Sequence, residues 1–205
     1  MSFLKDVFGP SKEEIWRQVA SDIGGEYIDG GFWRKDVLHY QAGQWPMMLD
    51  TFSKRHGDSS RTYTRLRAPF VNKDGLWFEI YREGIFSSIA RYFGMQDIVI
   101  GVPLFDDNFI IKGNDENKVR RLFQSEELQR LLHQQSSIKF SIQDDQDRWF
   151  AKPFPGGVNV LYFESAGVVK ETQRLRALFD LFTITLERLV QMDSAYEDDP
   201  NIQLD

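Results

Sequence analysis

Three arginines and one tyrosine alternate along a short stretch of the chain and form its clearest candidate for a binding surface. If residues 61–67 form a strand, alternation places four side chains on one face, namely Arg61, Tyr63, Arg65 and Arg67. Guanidinium groups beside an aromatic ring suit a small anionic ligand, single-stranded nucleic acid or an acidic segment of another protein. Alternatively, Glu79 and Glu83 on an adjacent strand would pair with the arginines and neutralise them.

Residue sets that form catalytic or metal sites are missing from the sequence. The three histidines, His39, His56 and His133, are far apart and belong to neither an HExxH nor an HxH pattern. No Gly-x-Ser-x-Gly segment supplies a nucleophile, and no cysteine supplies a thiolate or a zinc ligand. Glycine-rich phosphate loops are absent as well. The sequence therefore predicts no catalytic residue, no metal ion and no cofactor.

Acidic residues cluster at positions 106–107, 115–116 and 144–147, and such clusters bind hard cations in some proteins. None of the three has the spacing of a twelve-residue calcium loop. Turn formation and helix capping explain each cluster, and for Asp106 we expect capping or a backbone hydrogen bond. An enzyme of hydrolase type remains an alternative if Asp106, His39 and Glu79 converge from separate segments.

The composition indicates a fold with one large core and argues against nucleic acid. Of the 205 residues 41% are hydrophobic and 14% are aromatic. The net charge of −6 repels nucleic-acid phosphates. No segment reaches the roughly 20 apolar residues that span a bilayer, and residues 1–8 lack the apolar run of a signal peptide. We therefore expect a cytoplasmic protein without an integral membrane segment.

Local signals in the first half predict one helix followed by an antiparallel meander. Ser11 and Glu14 form a capping box, and apolar spacing predicts a helix over residues 12–23. Asp74-Gly75 predicts a hairpin turn between the last two strands of the meander. The strands are predicted at 37–41, 47–53, 61–68 and 76–81, and a short helix follows at 85–93.

The segment 105–123 carries the most specific local pattern. Phe105 and Phe109 have the spacing of a strand, Asp115 is placed to cap a helix, and apolar residues then resume at helical spacing. The pattern Phe-Asp-x-x-Phe-x-Ile-x-Gly-x-Asp resembles a signature of bacterial domains of unknown function, over about residues 98–135. The resemblance implies a small bacterial α+β domain and assigns no catalytic residue.

The second half repeats the order of helix and meander. A helix is predicted after Ser125, and strands are predicted at 138–142, 149–153 and 158–163. The longest predicted helix begins at Val168 and ends at Val190. Its broad apolar face suits packing across a sheet, and self-association of this helix into a homodimer is the alternative. The acidic residues 193–205 are predicted to be disordered.

These elements predict one α+β domain over residues 1–192, with an antiparallel sheet covered by helices and above all by the C-terminal helix. Because helix and meander occur twice, over residues 11–95 and 105–165, an internal duplication stays open. The sequence favours a non-enzymatic binding or protein-interaction module. Two alternatives remain, a hydrolase-like enzyme and an apolar-ligand-binding protein with a pocket between the sheet and the C-terminal helix.

Overall fold

The structure is a computed structural model that describes residues 9–31, 34–82, 96–144 and 154–202. These residues form one eight-stranded antiparallel sheet and five helices, which confirms the predicted α+β class. The strands are β1 (Glu26–Ile28), β2 (Val37–Ala42), β3 (Trp45–His56), β4 (Ser59–Val71), β5 (Phe78–Arg82), β6 (Phe109–Gly113), β7 (Lys139–Gln143) and β8 (Val158–Ala166). The helices are α1 (Lys12–Ile23), α2 (Pro103–Asp106), α3 (Glu116–Phe123), α4 (Glu126–His133) and α5 (Thr172–Gln191).

Two predicted elements, the helix at 85–93 and the strand at 149–153, lie outside the described residues. The short strand β1 was not predicted, and β3 and β4 extend beyond their predicted bounds at both ends. Helix α1 has the predicted bounds. Its capping box forms, with the Ser11 hydroxyl accepting from the Glu14 backbone N–H at 3.1 Å and a Glu14 carboxylate oxygen accepting from the Ser11 N–H.

The strand order is β1-β2-β3-β4-β8-β7-β5-β6, and every pair is antiparallel. The predicted hairpin between β4 and β5 is therefore wrong. The turn itself forms, since Gly75 has φ 70° and its N–H donates to Asn72 Oδ1. The strands on either side of it separate because β8, buried along almost its whole length, takes the place beside β4. Strand β5, from the first predicted half, instead lies between β6 and β7 of the second.

One face of the sheet packs against the helices. Alternate strand residues point to this face, where Leu66 and Phe140 join the same core cluster as Phe182 of α5. The rings of Phe140 and Phe182 lie 5.4 Å apart, and those of Tyr40 and Phe179 lie 5.6 Å apart edge to face. Aromatic side chains therefore make up much of the contact between the sheet and α5.

Helix α5 starts at Thr172, four residues later than the start predicted at Val168. The segment before it stays extended because Val169 bonds to neighbours through both backbone groups: its N–H donates to Thr64 Oγ1, and its carbonyl accepts from Trp16. The apolar face of α5 is buried within the chain, which confirms packing across the sheet. The structure gives no support to a homodimer through this helix.

The signature segment differs from its prediction at one point. Phe105 was expected in the strand but lies in α2, because Pro103 starts a one-turn helix that places the Phe105 ring 4.7 Å from the Phe109 ring. The predicted strand and the predicted helix cap of this segment are confirmed. Strand β6 begins at Phe109, and Asp115 caps α3 by accepting from the Lys118 backbone N–H at 3.0 Å.

Packing continues past Met192, the predicted end of the domain. Ser194 and Ala195 are buried, and the Tyr196 N–H donates to the Val71 carbonyl at 3.0 Å. The acidic residues 197–199 that follow are exposed. Within the part of the chain that the structure describes, no helix has the length and apolar character needed to cross a membrane.

Candidate functional site

The sheet face opposite the helices carries a row of opposite charges. In register across β3, β4, β8 and β7, Asp50 lies opposite Arg65, Arg65 opposite Glu164, and Glu164 opposite Lys139. Each carboxylate therefore has a cation on the neighbouring strand. We call this surface the charged face and define it by eight residues, Asp50, Lys54, Arg65, Arg67, Glu79, Lys139, Tyr162 and Glu164.

Two of the predicted binding arginines share one carboxylate. Arg65 donates to Asp50 from Nε at 2.6 Å and from Nη2 at 2.7 Å, which is the two-pronged geometry that arginine forms with carboxylates. Arg67 donates from Nη2 to Asp50 Oδ2 at 3.3 Å and is only 1% exposed. Burial, and then the positive charge of Arg65, lower the pKa of Arg67 to about 10. Arg67 is therefore part of the interior.

A second cluster on the charged face surrounds Glu164. Lys54 Nζ donates to both carboxylate oxygens, at 2.6 and 2.7 Å, and the Tyr162 hydroxyl donates to Oε2 at 2.8 Å. Burial, and then the charge of Glu164, raise the pKa of Tyr162, so this hydroxyl keeps its proton. The cluster thus stabilises a carboxylate that is 2% exposed.

Two of the arginines do pair with a carboxylate, but it belongs to Asp50 and not to the predicted partner Glu79. Glu79 contacts Lys139 at 3.2 Å and is separated from Arg67 by two intervening strands, β8 and β7. Glu83 lies outside the described residues. The prediction for Glu79 was wrong because β4 and β5 are neighbours in sequence and not in the sheet.

The other two members of the alternating stretch, Tyr63 and Arg61, differ in accessibility. Tyr63 is 7% exposed and packs against Phe52 with ring centroids 5.6 Å apart. Arg61 is exposed, and no hydrogen bond or ion pair joins its side chain to any described residue. Of the four predicted binding residues, Arg61 is thus the one whose guanidinium is available in solution.

Arg61 lies on the hairpin of β3 and β4, whose end extends beyond the neighbouring strands of the sheet. β2 pairs with β3 only as far as Leu49, and β8 pairs with β4 only from Tyr63 onward. Within the described ranges, residues 54–61 therefore have no neighbouring strand outside the hairpin itself. Lys54 lies directly opposite Arg61, and the exposed Arg55 follows on the other face of β3. We call Lys54, Arg55 and Arg61 the basic hairpin.

The residues named for a hydrolase do not come together. His39 lies in β2 and Glu79 in β5, five strand spacings apart, or about 24 Å along the sheet at roughly 4.8 Å per strand. Asp106 accepts backbone N–H groups from Ile100, Gly101 and Val102 at 2.8, 2.9 and 3.0 Å. Backbone bonding was the expected role of Asp106, and it is confirmed.

One contact between a serine and a lysine was not anticipated from the sequence. Ser194 Oγ accepts from Lys118 Nζ at 3.3 Å and donates to Asp74 Oδ2 at 2.9 Å. A lysine that activates a serine must be neutral, but its hydrogen bond to Asp74 raises the pKa of Lys118. The cluster therefore fastens the end of α5 to the turn before β5. Among the described residues, no group of three His, Asp or Glu side chains could hold a metal ion.

Comparison with known proteins shows similarity at the level of fold. No protein-family model matches the chain, and no curated protein matches it. A solved structure that is similar is the crystal structure of the mycobacterial trehalose monomycolate transport factor A, TtfA. The TM-score is 0.50 and the identity 8%, and the alignment covers 87% of this chain and 94% of that chain. The two chains thus share an overall fold across most of their lengths.

Proposed function

We propose that this protein is a non-enzymatic binding module whose basic hairpin binds an acidic segment of a partner protein. The observation that carries the proposal is the exposure of Arg61 and Arg55 on a hairpin whose residues 54–61 have no other neighbouring strand among the described residues. Lys54, directly opposite Arg61, is paired with Glu164, so the repulsion between these two cations is already reduced. The exposed arginines are left to bind a partner carboxylate.

The charges around the basic hairpin favour Arg61 as the principal contact. Lys54 is already bound to Glu164, whereas the side chains of Arg61 and Arg55 are exposed and make no hydrogen bond or ion pair with the described residues. A free guanidinium can form two parallel hydrogen bonds to one carboxylate. Because the chain as a whole carries a net charge of −6, an acidic partner is attracted at this place and repelled over much of the remaining surface.

The proposal is tested with a fluorescein-labelled hexaglutamate peptide and fluorescence anisotropy at low salt. We expect Arg61→Ala and Arg55→Ala each to weaken binding by about tenfold, the loss typical of one charge-assisted hydrogen bond. The matched control is Arg121→Ala, which removes an exposed arginine of α3. Circular dichroism checks that all variants keep the fold. Peptide binding that is absent from the natural chain, or equal in the hairpin variants and the control, would refute the proposal.

A second candidate function is binding of an apolar ligand between the sheet and α5. It is favoured by the shared fold with a protein described as a trehalose monomycolate transport factor. The rings packed between the sheet and α5 would have to move apart to admit such a ligand. Native mass spectrometry of protein purified from cells tests it, because a retained lipid adds a discrete mass. A spectrum that shows the bare chain alone would count against this candidate.

A further inference from the structure

Residues 98–105, with the sequence Ile-Val-Ile-Gly-Val-Pro-Leu-Phe, contain no polar side chain, and we call them the apolar loop. Three of them, Ile98, Ile100 and Phe105, are buried and hold the loop to the core. Val99 is 56% exposed and Leu104 is 68% exposed, the highest values among the large apolar side chains of the described residues. The loop is therefore anchored by its buried residues and exposes Val99 and Leu104 to solvent.

Most backbone polar groups of the apolar loop are satisfied without water. The Asp106 carboxylate accepts three consecutive N–H groups, from Ile100, Gly101 and Val102. The Val102 carbonyl accepts from the N–H groups of Phe105 and Asp106, each at 2.9 Å. The Leu104 carbonyl accepts from Asn108 Nδ2 at 2.7 Å, and Pro103 has no N–H. An exposed loop ordinarily leaves such groups to water.

We propose that the apolar loop enters the interfacial region of a lipid bilayer. Backbone groups that lack an internal partner make entry into an apolar phase costly, and Asp106 removes that cost for three of them. The exposed Val99 and Leu104 side chains supply the gain from leaving water. This inference is independent of the basic hairpin and of its proposed partner.

The shape of the apolar loop suits a bilayer better than a pocket on another protein. Gly101 lies at its tip with φ 90°, and a Cβ placed there would meet no atom within 4 Å. An open bend with the exposed side chains of Val99 and Leu104 before and after it can enter a fluid phase without a matching cavity. The exposed carboxylate of Asp107 and the ion pair of Asp97 with Lys112 flank the loop and limit its depth, so binding is shallow and reversible.

The test is flotation of the full chain with phosphatidylcholine vesicles. We expect binding that persists at high salt, because apolar transfer is not screened by ions. Leu104→Ser and Val99→Ser should each lower the partition coefficient, by about tenfold for Leu104. The matched control, Ile28→Ser, removes a side chain that is 42% exposed elsewhere on the sheet and should leave partitioning unchanged.

The depth to which the apolar loop enters the bilayer is measured with a single environment-sensitive dye. Because the chain has no cysteine, Leu104→Cys and the control Ile28→Cys can each be labelled at one site. We expect a blue shift on vesicle addition for the dye at residue 104 and none at residue 28. Three results would overturn the proposal: no vesicle binding, equal binding by the loop variants and the natural chain, or binding that needs anionic lipid and disappears with salt. The last result would assign the contact to basic side chains.

Discussion

Arg65 holds Asp50 through two hydrogen bonds, from Nε to Oδ1 at 2.6 Å and from Nη2 to Oδ2 at 2.7 Å. The two residues are opposite each other on β4 and β3, and both side chains are largely buried. Arg67 donates to the same carboxylate, so Asp50 bonds to two cations in the interior of the charged face. Of these three side chains, Asp50 is therefore the one whose removal should lower the stability of the fold most.

We predict that Asp50→Ala destabilises the fold by about 3–5 kcal/mol, the usual cost of leaving a buried charge without its partner. Urea unfolding followed by circular dichroism measures this change. The triple variant Asp50→Leu, Arg65→Met and Arg67→Met removes all three charges and should recover most of the loss. A single variant as stable as the natural chain would show that Asp50 is dispensable to the cluster.

A different carboxylate fixes the apolar loop. Asp106→Ala removes the acceptor of three backbone N–H groups, and we expect a loss of about 1–3 kcal/mol with much faster amide hydrogen exchange at residues 100–102. Asp106→Asn keeps one acceptor oxygen and should have an intermediate effect. Unchanged exchange at these three amides in the alanine variant would mean that other groups hold the loop.

Stability should fall in weakly acidic solution because of His133. Burial, and then the positive charge of Arg82, lower the pKa of His133 in the folded protein from 6.5. The unfolded chain therefore binds the proton more readily than the folded protein. The contribution of neutral His133 to the free energy of unfolding is fully present above pH 6.5, and it is lost as the pH falls through the lower pKa of the folded state. We expect the melting temperature to decrease between about pH 7.5 and about pH 5.5.

The control for this pH effect is His133→Phe, which keeps a ring beside Phe105 and Phe109 and removes the titrating group. This variant should lose less melting temperature over the same pH interval. Asp36 and Asp74 do not contribute to this difference in melting temperature. Their pKa values are lowered from 3.8, so the stability linked to them is lost only at more acidic pH. An equal decrease in both proteins would assign the effect to another histidine.

Local features of the fold could be predicted from the sequence, whereas strand neighbours could not. The capping box of Ser11 and Glu14 and the cap at Asp115 depend on residues three positions apart, and both form as predicted. The pairing of β4 with β8 joins residues about a hundred positions apart. No local signal specifies that choice, and because β8 takes the place beside β4, Glu79 of β5 does not lie beside the arginines. Asp50, the partner that Arg65 and Arg67 do have, lies on the preceding strand β3, only 15 and 17 positions away.

The candidate sites divide in the same way. Alternation placed Arg61, Tyr63, Arg65 and Arg67 on one face, and the structure agrees, but the burial of Tyr63 and Arg67 and the partial burial of Arg65 depend on long-range pairing. The apolar loop had a local signal, eight residues without a polar side chain, although its exposure could not be inferred from the sequence. The resemblance to bacterial domains of unknown function stays a prediction, since no family model matches the chain.

Helix α1 is joined to the segment before α5 by one buried hydrogen bond. Trp16 Nε1 donates to the Val169 carbonyl at 3.0 Å, and Trp16 is fully buried. Trp16→Phe keeps an aromatic ring but leaves that carbonyl without this donor, so we expect a loss of about 1–3 kcal/mol in addition to the cost of the smaller ring. Urea unfolding followed by circular dichroism measures the change.

The matched control for Trp16 is Trp45, a second buried tryptophan whose Nε1 has no hydrogen-bond partner among the described residues. Trp45→Phe removes a similar volume and an N–H that bonds to none of them, so its cost comes from packing alone and is partly offset by relief of the unsatisfied donor. Trp16→Phe should therefore be the more destabilising by roughly 1 kcal/mol or more. Equal losses in the two variants would show that packing, and not the bond to Val169, fixes α1 on the domain.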